Sequence, residues 1–159
     1  MNRCHGLFIV IGVCGLSVSL AVASAWAEGS PFVSRWHWNR EQSKLPAGER
    51  APADMMIDIT RADNTHVRWS TIITNAQGRP MIESFDTPAN GEFYPVSGGT
   101  VASFRLSGPA LDATFKGPAG EADALSCTLS PDQKKMTCTG AISAQDGKTE
   151  TYTDVYDRS

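Results

Sequence analysis

Apolar and polar residues alternate with a period of two along most of this chain. Met55, Ile57 and Ile59 share one parity, with Asp58 and Thr60 on the other, which is the pattern of a strand with one buried face. Phe32, Ser34, Trp36 and Trp38 repeat it in Ser30 to Asn39, as do Val67, Trp69, Thr71 and Ile73 in His66 to Thr74. Further strands are predicted over Pro80 to Thr87, Glu92 to Val96, Thr100 to Ser107, around Leu111, Ala113 and Phe115, and over Lys148 to Arg158. Clusters that favour turns separate them, among them Ala62-Asp63-Asn64-Thr65, Asn75-Ala76-Gln77-Gly78, Ser97-Gly98-Gly99 and Gln145-Asp146-Gly147. Arg40 to Ala53 holds Pro46, Gly48 and Pro52 and reads as an irregular crossing or a loose turn of helix. No stretch carries a convincing 3.6-residue period.

Turn signals spaced about 8 to 14 residues apart predict an all-β meander, closed into a barrel or stacked as a sandwich. Short links between consecutive strands favour an antiparallel up-and-down β-barrel of about eight to ten strands. Closure would also remove the exposed edges that an open sheet must blunt.

Leu125 to Ile142 predicts its own pairing. If Cys127 faces Cys138, then Leu129 faces Met136 and Leu125 faces Gly140, all on one face. Ser130-Pro131-Asp132-Gln133-Lys134 places Pro and Asp where a type I turn takes them. The expectation is a β-hairpin with a cross-strand disulfide, Cys127–Cys138.

The start of the chain has a different character. Arg3 is followed by a run from Gly6 to Ala23 without a charge, and Ala25-Trp26-Ala27 offers small residues where a signal peptidase cuts. Residues 1–27 are expected to be a signal peptide rather than a membrane anchor, which leaves no stable anchor after cleavage. Residues 28–159 then form a single domain, 132 residues once 27 are removed from the chain's 159. Cys4 and Cys14 leave with the leader, so two cysteines remain in an exported chain, where a disulfide is the default. A periplasmic or secreted location is expected.

Charge narrows the function. The mature chain has 13 Lys+Arg (14 less Arg3) against 17 Asp+Glu, a net charge of −4. Its bases are scattered, which disfavours nucleic acid as a partner. His37 and His66 lack neighbours at metal-ligand spacing and read as surface residues, so neither a metal site nor a cofactor is expected. No G-x-S-x-G is present. Asp58, Glu83 and Asp86 are available for paired-carboxylate chemistry, but they read as outward polar positions on half-exposed strands. No acid, base or nucleophile set is recognisable, and a non-enzyme is expected. Trp36, Trp38, Trp69, Phe104 and Phe115 all fall on apolar parity, either as packed core or as the lining of a ligand cavity.

Trp36, Asn39, Ser43 and Lys44 resemble the opening of a group of small exported bacterial β-barrels, whose chains begin Gly-Thr-Trp-x-x-Asn-x-x-x-Ser-Lys. Tyr94-Pro95-Val96-Ser97-Gly98 matches a second motif of that group, and Asp154-Val155-Tyr156-Asp157-Arg158 is similar to its last strand. The opening also resembles the Gly-x-Trp start of lipocalins, with Ser34 in place of the glycine. There the tryptophan closes one barrel end and a late arginine lies against it, roles that would fall to Trp36 and Arg158. The resemblance implies a lipocalin-like fold and carries over no reaction. It suggests an exported, non-enzymatic protein holding a small hydrophobic ligand at Trp36, Trp38, Trp69, Phe104 and Phe115. The alternative is an envelope interaction module, such as an inhibitor of an exported hydrolase, acting through an envelope protein partner.

Overall fold

The computed structural model describes residues 29–159; the expected leader, residues 1–27, lies outside them. Ten antiparallel strands form one sheet: β1 (Ser34–Trp38), β2 (Asp54–Ala62), β3 (His66–Thr74), β4 (Pro80–Pro88), β5 (Tyr94–Pro95), β6 (Val101–Ser107), β7 (Ala110–Lys116), β8 (Ala122–Leu129), β9 (Lys135–Ser143) and β10 (Thr149–Arg158). There is no helix among the described residues. The spatial order is β4-β3-β2-β1-β10-β9-β8-β7-β6-β5, an up-and-down meander whose first and last strands pair. The sheet therefore curls into a nearly closed barrel.

Closure rests on the pairing of β1 with β10, where Trp36 faces Arg158 and Trp38 faces Tyr156. The residues that follow extend this junction. Lys44 and Thr153 exchange backbone hydrogen bonds of 2.7 and 2.8 Å. Ser43 donates through its hydroxyl to the Asn39 carbonyl and accepts from the Val155 N–H. Asn39 donates to Asp157 at 2.7 Å. The Trp-x-x-Asn-x-x-x-Ser-Lys pattern thus pins the first loop onto β10 by satisfying backbone groups that β1 is too short to reach. Of the two readings of Arg40 to Ala53, the irregular crossing is the one found: the Gln42 and Ser43 N–H groups donate to the Asn39 carbonyl, Lys44 pairs with Thr153, and the Ala53 N–H donates to Thr74 of β3.

The opposite seam, between β4 and β6, is incomplete. Asn90 bridges to Arg105 and the Gly91 N–H donates to the Phe104 carbonyl, closing one end. Farther along, side chains span the gap, with Phe85 of β4 packed 4.9 Å from Phe115 and 6.1 Å from Phe104 between ring centroids. The strand expected over Glu92 to Val96 shrinks to the two residues of β5. Asn90 holds the preceding turn through the Glu92 N–H, and Pro95 has no N–H to donate.

The hairpin of β8 and β9 has the expected register, Cys127 opposite Cys138, Leu129 opposite Met136 and Leu125 opposite Gly140. The disulfide is formed. The Gln133 N–H donates to the Ser130 carbonyl across the turn, and Gln133 itself takes a positive φ of 57°.

Burial is uneven along the barrel axis. Phe32, Trp36, Ile59, Val67, Phe104, Leu111, Cys127 and Met136 fill one end as a packed core. Arg158 lies across the Trp36 ring at 4.4 Å and donates to the carbonyls of Gln133 and Pro31, sealing that end. This is the contact implied by the lipocalin resemblance. Toward the other end the inward positions become less buried, as Leu125 and Asp123 do after Cys127 on β8.

Candidate functional site: a hollow at the open end of the barrel

The open half of the barrel is hollow. An inner chamber of about 270 Å³ lies among Ile57, Trp69, Phe85, Phe115, Leu125 and Tyr156. An outer one of about 460 Å³ lies beneath the loop segment Leu45 to Pro52 and beside Ile73 and Ile142. Met55, Ile73, Asp123, Tyr152 and Asp154 border both, so the two chambers adjoin as parts of one hollow. Its walls are mainly aliphatic and aromatic, with a few polar groups converging where the chambers meet, the usual make-up of a small-molecule site.

Strand parity places those polar groups. On β10, Tyr152, Asp154 and Tyr156 point inward together, and on β8 Asp123 shares the face of Leu125 and Cys127. Asp154 is only 8% exposed, and its Oδ1 accepts the Trp38 indole N–H at 2.8 Å. Burial holds its pKa above the usual carboxylate value; the Trp38 hydrogen bond opposes this and the nearby Glu49 carboxylate adds to it. Asp123 accepts the Tyr152 hydroxyl at 2.9 and 3.1 Å on its two oxygens. Its pKa is also raised, first by burial, with Asp154 and Glu49 contributing and Tyr152 opposing. Burial and the Asp123 charge raise the Tyr152 phenol, and burial raises Tyr156. The two aspartates accept hydrogen bonds, and the two phenols keep their protons. They are not arranged as a nucleophile with its base.

The aromatic residues divide between the two ends. Trp69 and Phe115 line the inner chamber. Phe104 packs 5.9 Å from Trp69 and 5.7 Å from Phe115, but it is fully buried behind them. Trp36 lies in the closed end under Arg158. Trp38 reaches the hollow only through its hydrogen bond to Asp154. Of the three carboxylates expected to face outward, Asp58 and Asp86 do, close to Arg35 and Arg68. Glu83 does not: it shares the inward face of Phe85 and borders the inner chamber. His37 and His66 lie on the outer side against Asp54 and Asp86, at 3.3 and 2.6 Å. Among the described residues no three metal-ligating side chains converge.

The sequence reading does not single out Asp123, Asp154, Tyr152 or Met55 as site residues, and it takes Glu83 only as an outward carboxylate. A signal was available for two of them: Asp154 lies between two tyrosines on inward parity, and Asp123 on that of Leu125 and Cys127.

No protein-family model matches the chain, and no curated protein matches it in sequence. Solved structures do match in shape. An asparagine-to-alanine mutant of the fluorescent protein UnaG superposes with a TM-score of 0.55 at 16% identity, covering 81% of this chain and 96% of that one. Wild-type UnaG gives 0.51 at 17% identity over 80% and 97%. The zebrafish ileal bile acid-binding protein, in complex with cholic acid, gives 0.50 at 14% identity over 82% and 100%. At these identities the likeness establishes the barrel fold.

Proposed function

We propose that this protein is a non-enzymatic binding protein that holds one small, largely apolar molecule in the hollow of its barrel, and that it works outside the cytoplasm, in the periplasm or secreted. The observation that carries the binding reading is the hollow of two adjoining chambers, lined by Ile57, Trp69, Phe85, Phe115 and Leu125 at its inner end. A barrel of this size either fills with side chains or keeps room for one ligand. Here the packed core fills the closed end and supplies the inner walls of the hollow at the other, without filling it. The cholic acid complex of a similarly folded barrel supports the same reading. Export is supported by the leader-like residues 1–27 and by the Cys127–Cys138 disulfide, which persists in oxidising compartments.

Native mass spectrometry of the protein purified from its own cell envelope tests both parts. The expected species is the chain lacking residues 1–27, two hydrogens short of the reduced mass and carrying a small molecule. Titration with lipids, fatty acids and quinones should then quench Trp69 emission, and a Trp69→Phe variant should lose that response. A bare mass together with no fluorescence response to any of these compounds would remove the binding reading. Recovery of the uncleaved chain would remove the export reading.

A further inference from the structure

We infer that the molecule held in this hollow is a lipophilic cation, a protonated amine on an apolar body, with its ammonium group against Asp123 and Asp154. The inference rests on the binding function proposed above and specifies its ligand class.

The hollow is polarised in one sense. Glu49, Asp123 and Asp154 border the outer chamber, and Glu83 joins the two aspartates at the inner one. Arg50, on the rim segment, is the one basic residue lining either chamber among the described residues. The donors that reach the central aspartates are neutral: the Trp38 indole and the Tyr156 hydroxyl on Asp154, and the Tyr152 hydroxyl on Asp123. The ion pairs of the described residues involve other carboxylates, such as Asp58, Asp63, Asp86 and Asp157.

A carboxylate on a solvated surface needs no counter-charge, but one enclosed in a low-dielectric space takes either a proton or a counter-charge. Burying it unpaired is costly, and like charges close by add to the cost. Asp154 is more than nine-tenths buried at the junction of the chambers, beside Asp123. Empty space rather than a lysine or arginine adjoins it. A ligand ammonium placed there supplies the missing positive charge and donates hydrogen bonds to both aspartates. The ligand's apolar body then meets Ile57, Phe85, Phe115 and Leu125 in the inner chamber. An anion in the same place would meet three carboxylates without a buried base. The site therefore selects the opposite charge to cholic acid.

The test compares three probes of equal chain length, dodecylamine, dodecanol and dodecanoate, below their micellar concentrations at neutral pH. Binding to the mature protein is read by calorimetry and by Trp69 emission. The amine is expected to bind at least about tenfold more tightly than the alcohol, with the carboxylate weakest. Asp123→Asn and Asp154→Asn, each keeping an acceptor for its neutral donor, should each lower the ratio of amine to alcohol affinity roughly tenfold. An alcohol or carboxylate that binds as tightly as the amine overturns the charge assignment and leaves the binding function standing. So does a ratio unchanged in whichever variant folds, since the preference would then come from the protein's net surface charge. If neither variant folds, the comparison of the three probes on the wild-type protein decides. Failure of all three probes to bind overturns this inference, and the native mass and the lipid, fatty-acid and quinone titrations then decide the binding function separately.

Discussion

The Tyr152 ring of β10 lies flat across Gly140 of β9, its direct cross-strand partner, so closely that a Cβ at Gly140 would overlap the ring. Gly140 thereby lets the ring lean along the sheet until its hydroxyl reaches Asp123 on β8. The side chain spans three strands and forms part of the wall of the hollow.

Gly140→Ala is therefore expected to push Tyr152 off its neighbour and destabilise the barrel by roughly 1–3 kcal/mol, the usual range for overpacking. Tyr152→Phe keeps the ring and removes only the hydroxyl, and should cost about 1 kcal/mol. Urea unfolding measures both. A Gly140→Ala variant that unfolds at the wild-type midpoint would show that the ring is free to move aside.

Arg158 covers the face of Trp36 and ties the last strand to the carbonyls of Pro31 and Gln133. Arg158→Ala is expected to lower the unfolding free energy by roughly 2 kcal/mol, combining lost cation–π contact and lost hydrogen bonds. Arg158→Lys should recover little of it, because an ammonium cannot both cover the ring and reach two carbonyls in a planar fork. Full recovery by lysine would reduce the residue's role to its charge. Ligand affinity should be insensitive to either change, since the hollow is at the other end.

Reduction of Cys127–Cys138 removes a crosslink that spans a sequence separation of 11. The expected loss is about 2–3 kcal/mol in the chain-entropy model. The far-UV circular dichroism should remain that of a β-barrel, because Leu129 opposite Met136 and the β8–β9 hydrogen bonds hold the register without it. Loss of the β signal on reduction at ambient temperature would show that the disulfide is needed for the fold to form.

Stability should peak in mildly acidic solution. Asp123 and Asp154 have folded-state pKa values raised by burial, so their protonation favours the folded chain. That contribution is complete below the ordinary carboxylate value of 3.8 and is lost as pH rises through the raised folded values. Asp86 and Asp157 behave oppositely: Arg68 and Lys135, respectively, hold their pKa values down, so their stabilisation is lost as pH falls through the depressed values. Both are exposed, and salt screening keeps their share small. The thermal midpoint should therefore rise as pH falls from neutral toward the carboxylate range and fall below it. Asp123→Asn combined with Asp154→Asn should flatten the rise and leave the acid decline.

Most of the fold was legible because its determinants are local. His66–Thr74 begins and ends where the sequence places it, between Asp63-Asn64 and Asn75 to Gly78 turns. The β8–β9 register follows from two cysteines and a turn with Pro131 and Asp132. The site was less legible. The charge of Glu83 predicts that it faces outward, while its parity is that of Phe85; parity decides, and Glu83 borders the chamber although it stays exposed. Equating inward with apolar likewise passes over Asp123 and Asp154. Trp36 and Trp69 are alike by parity and burial, yet one closes the packed end and the other borders the hollow.

The amino-acid order by itself determined the strands, their antiparallel succession and which side chains face inward, because a period of two and turn-forming residues act over a few positions. Depth was decided only by the tertiary structure. How far along the barrel axis an inward residue lies depends on pairing between distant strands, above all Trp36 with Arg158 and Tyr156 with Trp38. That pairing gathers the bulky side chains at one end and leaves Asp123, Asp154 and Tyr152 around an unfilled space at the other.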